Sequence, residues 1–188
     1  MTLQSSALAY LKEQEAYQHR EIRRIIFARE LIEELMPHFP HSLDEHFSVE
    51  GMWTGYLEPE RSTYALRLET RDDLEPEAVP EAFGSIIKVA AALLRLGWSV
   101  DPQPEITAAD GKHAIDVEIK ATRGQVGLRV SFLHLPESER CKLVEEDVTV
   151  PEHTETKLRV VCEGEPVQLV DAPPPPLAEA VPVLEGAS

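Results

Sequence analysis

Between Leu3 and Met36 the chain contains neither glycine nor proline, and Pro37 and Pro40 follow at once. A stretch of this length, built mostly of good helix formers, dictates one long α-helix that the prolines end. About 30 helical residues reach roughly 45 Å, more than a domain of this size can cover. Part of the helix must therefore project, or pack against another copy. Its second half is amphipathic: Ile22, Ile25, Ile26, Ile32 and Met36 recur at three- and four-residue steps, and Leu31 and Leu35 widen the stripe. Leu8 and Leu11 extend it backwards, but Glu15 and Gln18 interrupt it, so the first half is expected to be less buried. Ile22, Ile25, Ile26, Arg29 and Ile32 form the candidate interaction surface.

Beyond this helix the pattern changes to strands. Val49, Trp53 and Leu57 alternate against Tyr64, Leu66 and Leu68, which predicts a hairpin with Leu57 opposite Tyr64 and the loop Glu58 to Ser62. An acidic connector from Asp72 to Pro80 leads into a second helix over Glu81–Leu96. Its apolar face is Phe83, Ile86, Ile87, Ala90, Leu93 and Leu94, and Gly97 stops it. The remainder reads as an antiparallel meander. An Asp110-Gly111 turn sets Ile106 opposite Ile115, and a turn near Arg123-Gly124 puts Ile115, Val117 and Ile119 on the side of Val126, Leu128 and Val130. A last pair places Val148 opposite Leu158 and Val144 opposite Cys162. The alternation predicts one wet sheet face.

The fold class that follows is α+β: a long N-terminal helix over 1–36, a single domain over 37–170 with one core helix on a mostly antiparallel sheet, and a disordered proline-rich tail over 171–188. The chain of 188 residues suits one buried core plus an appendage. No apolar run is long enough to cross a bilayer, and Met1 to Tyr10 lacks the basic start and apolar stretch of a secretory signal, so the expected location is cytoplasmic. Cys141 and Cys162 show no CxxC spacing, and free thiols are the expectation.

Charge limits the partners. Asp and Glu outnumber Lys and Arg by 34 to 18, a net charge of −16, concentrated around residues 44–77 and 137–165. Such a surface repels nucleic-acid phosphates and anionic lipid, and favours protein partners with basic or apolar surfaces. The exception is His19 to Arg24 with Arg29 beyond it, but glutamates at 13, 15, 21, 30, 33 and 34 neutralise the same helix, and intrahelical pairs explain them.

Two constellations have the right residue types for chemistry. Asp116, Glu118 and Lys120 alternate along one strand, as in metal-dependent nucleases where carboxylates hold Mg²⁺ and a lysine positions water. That chemistry needs a further carboxylate on the preceding strand, where Asp110 belongs to a turn and Asp101 sits before two prolines. The expected register also gives Asp116 a partner of its own, Arg129. His38, His41 and His46, with Asp44 and Glu45 between them, are suitable metal ligands, but the two prolines break the helical spacing that presents two imidazoles on one face. No GxSxG elbow surrounds a serine, and no glycine-rich turn opens a helix to receive phosphate.

The functional expectation is a non-enzymatic acidic interaction or assembly protein, with no cofactor. It docks a protein partner or self-associates as a homo-oligomer through its N-terminal helix, and a regulator or inhibitor mimicking nucleic acid is one form of this. The alternative is a metal-dependent hydrolase or nuclease using one of the two constellations.

Overall fold

A computed structural model describes residues 3–58, 61–109, 113–150 and 153–169. The expected long helix is present as α1, Leu3–Leu35. Met36–His38 forms a single 3₁₀ turn, and Phe39 leaves it extended with its N–H bonded to the Met36 carbonyl at 3.1 Å. Pro37 has no N–H to continue the ladder, which is why the helix stops here. A short helix, α2 (Ser42–His46), turns the chain into the first strand.

The second helix, α3, runs from Val79 to Arg95 and buries Ala82, Phe83, Ile86, Val89, Ala90 and Leu93. It ends as the sequence predicts. Gly97 adopts φ +79°, its N–H bonds the Leu94 carbonyl, and the Trp98 N–H bonds that of Leu93, both at 3.0 Å. A side chain at Gly97 would oppose that left-handed conformation.

The main sheet contains β1 (Phe47–Glu58), β2 (Arg61–Thr70), β3 (Ser99–Val100), β4 (Glu105–Ala109), β5 (Ala114–Arg123) and β6 (Val126–Pro136). Its order is β1-β2-β6-β5-β3, with β4 also pairing β5. All pairings are antiparallel except β2–β6, which runs parallel from Ser62 opposite Val126 to Glu69 opposite Leu133. One face carries the core: Tyr64, Leu66, Leu68, Ile115, Val117, Ile119, Leu128, Val130 and Phe132 are buried there with the residues of α3 and the end of α1. The opposite face carries Glu105, Glu118, Lys120 and Arg129 and is wet, as the alternation predicts.

Three registers of the main sheet differ from those the sequence predicts. Thr54, not Leu57, stands opposite Tyr64, because the β1–β2 turn closes at Glu58 opposite Arg61 and the register shifts between Tyr56 and Glu58; a second shift between Val49 and Gly51 breaks the alternation further along. Val49, expected to face inward, is exposed. In the β4–β5 pair Ile106 faces Val117 rather than Ile115. Ala109 opposite Ala114 leaves four residues for the loop, and the Asp110-Gly111 turn lies outside the described residues. The β5–β6 turn falls where expected, but Lys120 rather than Asp116 stands opposite Arg129.

The last strands leave the main sheet. β7 (Cys141–Val150), β8 (His153–Cys162) and β9 (Glu165–Pro166) form a separate three-stranded sheet in that order. The reason lies in β6: β2 occupies one of its edges and β5 the other, so no further strand can pair with it. Val150 pairs with His153, so the β7–β8 turn is tight and the whole register moves from the expected one. Val144 opposes Arg159, Val148 opposes Glu155, and Cys141 opposes Cys162, with which it forms a disulfide across a Cα–Cα distance of 4.0 Å. The expectation of free thiols is thereby corrected; neither cysteine is free. The proline-rich segment over 171–188 lies outside the described residues.

Candidate interaction surface

The site is built from the way α1 meets the sheet. Ala28, Leu31 and Leu35 are buried and lie on one side of the helix, at three- and four-residue spacing. The Phe27 ring packs on Tyr64 of β2 with centroids 5.1 Å apart. At the helix end Arg123 of β5 donates from both terminal nitrogens to the Glu34 carboxylate, at 2.5 and 2.8 Å. The same guanidinium lies 4.6 Å from the ring centroid of the buried Trp98. Hydrogen bonding to Arg123 holds the Glu34 carboxyl below its ordinary range and, reciprocally, raises Arg123. These contacts hold the last third of α1 to the sheet.

Further towards the N-terminus, described residues of the helix are mostly exposed. Leu8, Leu11, Ile22, Ile25 and Ile26 are exposed, Ile25 to 64%. Ile22 and Ile26 project from the side opposite Leu31 and Leu35, and Ile25 lies at the margin between them and Ala28, so the chain builds two apolar stripes and the core uses one. The sequence reading merged them. Of the five candidate interaction residues, Ile22, Ile25, Ile26 and Arg29 are exposed and Ile32 is half-buried. Arg29 donates from Nε to Glu33 at 2.8 Å, and that hydrogen bond raises its pKa.

The two catalytic constellations fare differently from one another. Glu118 accepts a 3.3 Å hydrogen bond from Ser131 and lies 3.7 Å from both Lys120 Nζ and Arg129. Lys120 bonds Glu105, which raises the lysine and lowers the glutamate. A lysine held this way is an ammonium and not a base, since a base needs its pKa pushed down. Asp116 does a backbone task. Two residues of β6 bulge opposite it, and Asp116 Oδ1 accepts the His134 N–H at 2.6 Å, where His134 adopts φ 61°. The carboxylates therefore lie along an open sheet face among cations. The sequence reading missed Glu105, Ser131 and His134, because seeing them needs the correct register.

His38, His41 and His46 do not come together as a pocket. His38 and His41 are exposed, whereas His46 is buried in α2 with Nε2 finding no protein hydrogen-bond partner. Among the described residues, no three His, Cys, Asp or Glu side chains are grouped to hold a metal. An open depression of about 580 Å³, lined by Pro76, His113, Glu137, Ser138, Glu139 and Lys142, lies at strand ends and not between sheet and α3. Trp98 and Tyr64 are buried in the core, and the side chains of Trp53 and Tyr56 lie outside the described set. No described helix is long and apolar enough to cross a membrane. Comparison of the chain with protein-family models, with curated proteins and with solved structures finds no match.

Proposed function

We propose that this chain is a non-enzymatic interaction and assembly protein that works through the outward face of α1. The observation that carries the reading is the second apolar stripe. Leu8, Leu11, Ile22, Ile25 and Ile26 are left in water although the same helix already satisfies the core with Ala28, Leu31 and Leu35. Exposed apolar residues that recur along one helix face, rather than singly, mark a contact surface. The net charge of −16 selects protein surfaces that are basic or apolar and works against nucleic acid and anionic lipid.

Sedimentation of the full-length protein and of a version lacking Met1–Arg20 tests the reading. The full chain is expected to form a larger species, alone or with a partner, that the truncated chain does not. Equal monomeric masses, with no interaction lost on truncation, contradict it. A cytoplasmic location, the expectation from sequence, stands in tension with the Cys141–Cys162 bond, because cytosolic thiol pools keep such pairs reduced. Alkylating thiols at the moment of host-cell lysis measures the balance: a reduced pair supports the cytoplasm, and an oxidised pair points to a more oxidising compartment.

A further inference from the structure

We infer that the occupant of the outward α1 face is α1 of a second copy, running antiparallel, with Ile22 and Ile25 at the centre of the contact. The inference deepens the assembly reading above and rests on it. Its first support is spacing. Residues 8, 11, 15, 18, 22, 25, 29, 32 and 36 follow one another at alternating steps of three and four, the repeat that keeps a seam on one side of a helix for a helical partner. Six of these nine positions are apolar: Leu8, Leu11, Ile22, Ile25, Ile32 and Met36.

The other three decide direction. In a parallel pair in register, Glu15 would stack on Glu15, Gln18 on Gln18 and Arg29 on Arg29 of the second copy, setting like charges along a drying seam. An antiparallel pair avoids this. With Ile22 opposite Ile25 in two symmetric layers, Arg29 falls opposite Gln18, and Leu11 falls at the end of the second helix, beside a Met36 that packs partly on its own core. Glu15 falls opposite Ile32, about 4.5 Å along the axis from Arg29 of the second copy, within reach of two long side chains. At the flanks, Lys12 comes within about 3 Å along the axis of Glu33 of the second copy, twice by symmetry. The charges that interrupt the stripe thus become pairs.

Size sets the strength. An overlap from Lys12 to Leu35 is about 36 Å long, and helices packing about 8–10 Å apart share a strip about 10 Å wide. The contact buries roughly 700 Å² in total, below the roughly 1,200 Å² at which stable interfaces begin. The dimer is accordingly weak and reversible, with a dissociation constant in the micromolar range or above.

Sedimentation velocity of the full chain across roughly micromolar to several hundred micromolar concentration provides the test. A reversible monomer–dimer equilibrium is expected, and Ile22→Glu with Ile25→Glu abolishes it while far-UV circular dichroism stays native. Lys12→Glu is expected to weaken the dimer about tenfold, and adding Glu33→Lys to restore it, because the two flanking pairs reverse sign together. A dimer that the isoleucine changes dissolve but that ignores Lys12→Glu, or is not restored by the second change, overturns the antiparallel arrangement and leaves the contact role of α1 standing. A monomer at every concentration overturns the second copy as occupant. The assembly reading falls with it only if removing Met1–Arg20 also costs no heterologous interaction.

Discussion

Replacing both cysteines, Cys141→Ala with Cys162→Ala, perturbs the structure where its second sheet meets the core. Cys141 is fully buried at the start of β7, directly opposite Cys162 at the end of β8, while most of the strand residues beyond, from Val144 to Lys157, are exposed. The bond therefore clamps the base of a hairpin most of whose described residues are exposed. It closes a loop with a sequence separation of 21, for which chain-entropy arguments give about 3.3 kcal/mol near room temperature. A loss of about 3 kcal/mol should lower the melting temperature by roughly 6–12 °C in a chain of this size. Urea unfolding of the wild type, of the wild type in reductant and of the double variant measures it. The two perturbed samples should agree with one another and fall below the wild type by that amount. Titration of both thiols in the denatured, unreduced protein, or a double variant within about 0.5 kcal/mol of wild type, refutes the reasoning.

Further outcomes follow from single contacts. Leu31→Ala should cost about 2–4 kcal/mol because Leu31 is buried, whereas Ile25→Ala, on the exposed stripe, should change monomer stability by less than about 0.5 kcal/mol; chemical denaturation at low protein concentration separates them. Asp116→Ala leaves the bulge N–H of His134 without its charged acceptor and should cost about 1.5 kcal/mol, read in the same assay. Glu34 has a folded-state pKa below its unfolded value through its hydrogen bond to Arg123, so its contribution is complete above the ordinary carboxylate range near 4.5 and disappears as pH falls through the lowered value. Arg123→Ala should flatten that acid limb of the stability curve, by less than about 1 kcal/mol because the pair is solvent-screened. Mg²⁺ or Mn²⁺ should leave the melting temperature unchanged, since Lys120 and Arg129 already neutralise Glu105 and Glu118.

The elements that sequence reveals best are those set by local rules. The span of α1 follows from the absence of glycine and proline between Leu3 and Met36, and the end of α3 from Gly97. The inward set Ile115, Val117 and Ile119 follows from alternation alone. What escapes is whatever depends on a register or on a non-local partner. A period-two pattern is unchanged by a shift of two, so Ile106 fits opposite Ile115 as well as opposite Val117, and only the loop length between them decides. The parallel β2–β6 pair joins strands separated by α3, β3, β4 and β5, and no local signal announces it. The disulfide was within reach of sequence. Cys141 and Cys162 stand at equal distances from Pro151-Glu152, so a two-residue turn there sets them opposite one another. On α1 both apolar stripes are written in the sequence, but which one meets the core depends on where Phe27, Ala28, Leu31 and Leu35 land on the sheet.

Hydrogen exchange at the backbone amides of residues 8–26, followed as a function of protein concentration, bears most directly on whether the outward face of α1 is a contact surface. A helical segment whose side chains are mostly exposed exchanges readily, because helices draw most of their stability from packing. Protection in this segment should rise with concentration, or on adding a partner, and should return to the dilute value in Ile22→Glu with Ile25→Glu. Protection that is the same at every concentration, with every partner tried and in the variant would contradict the account.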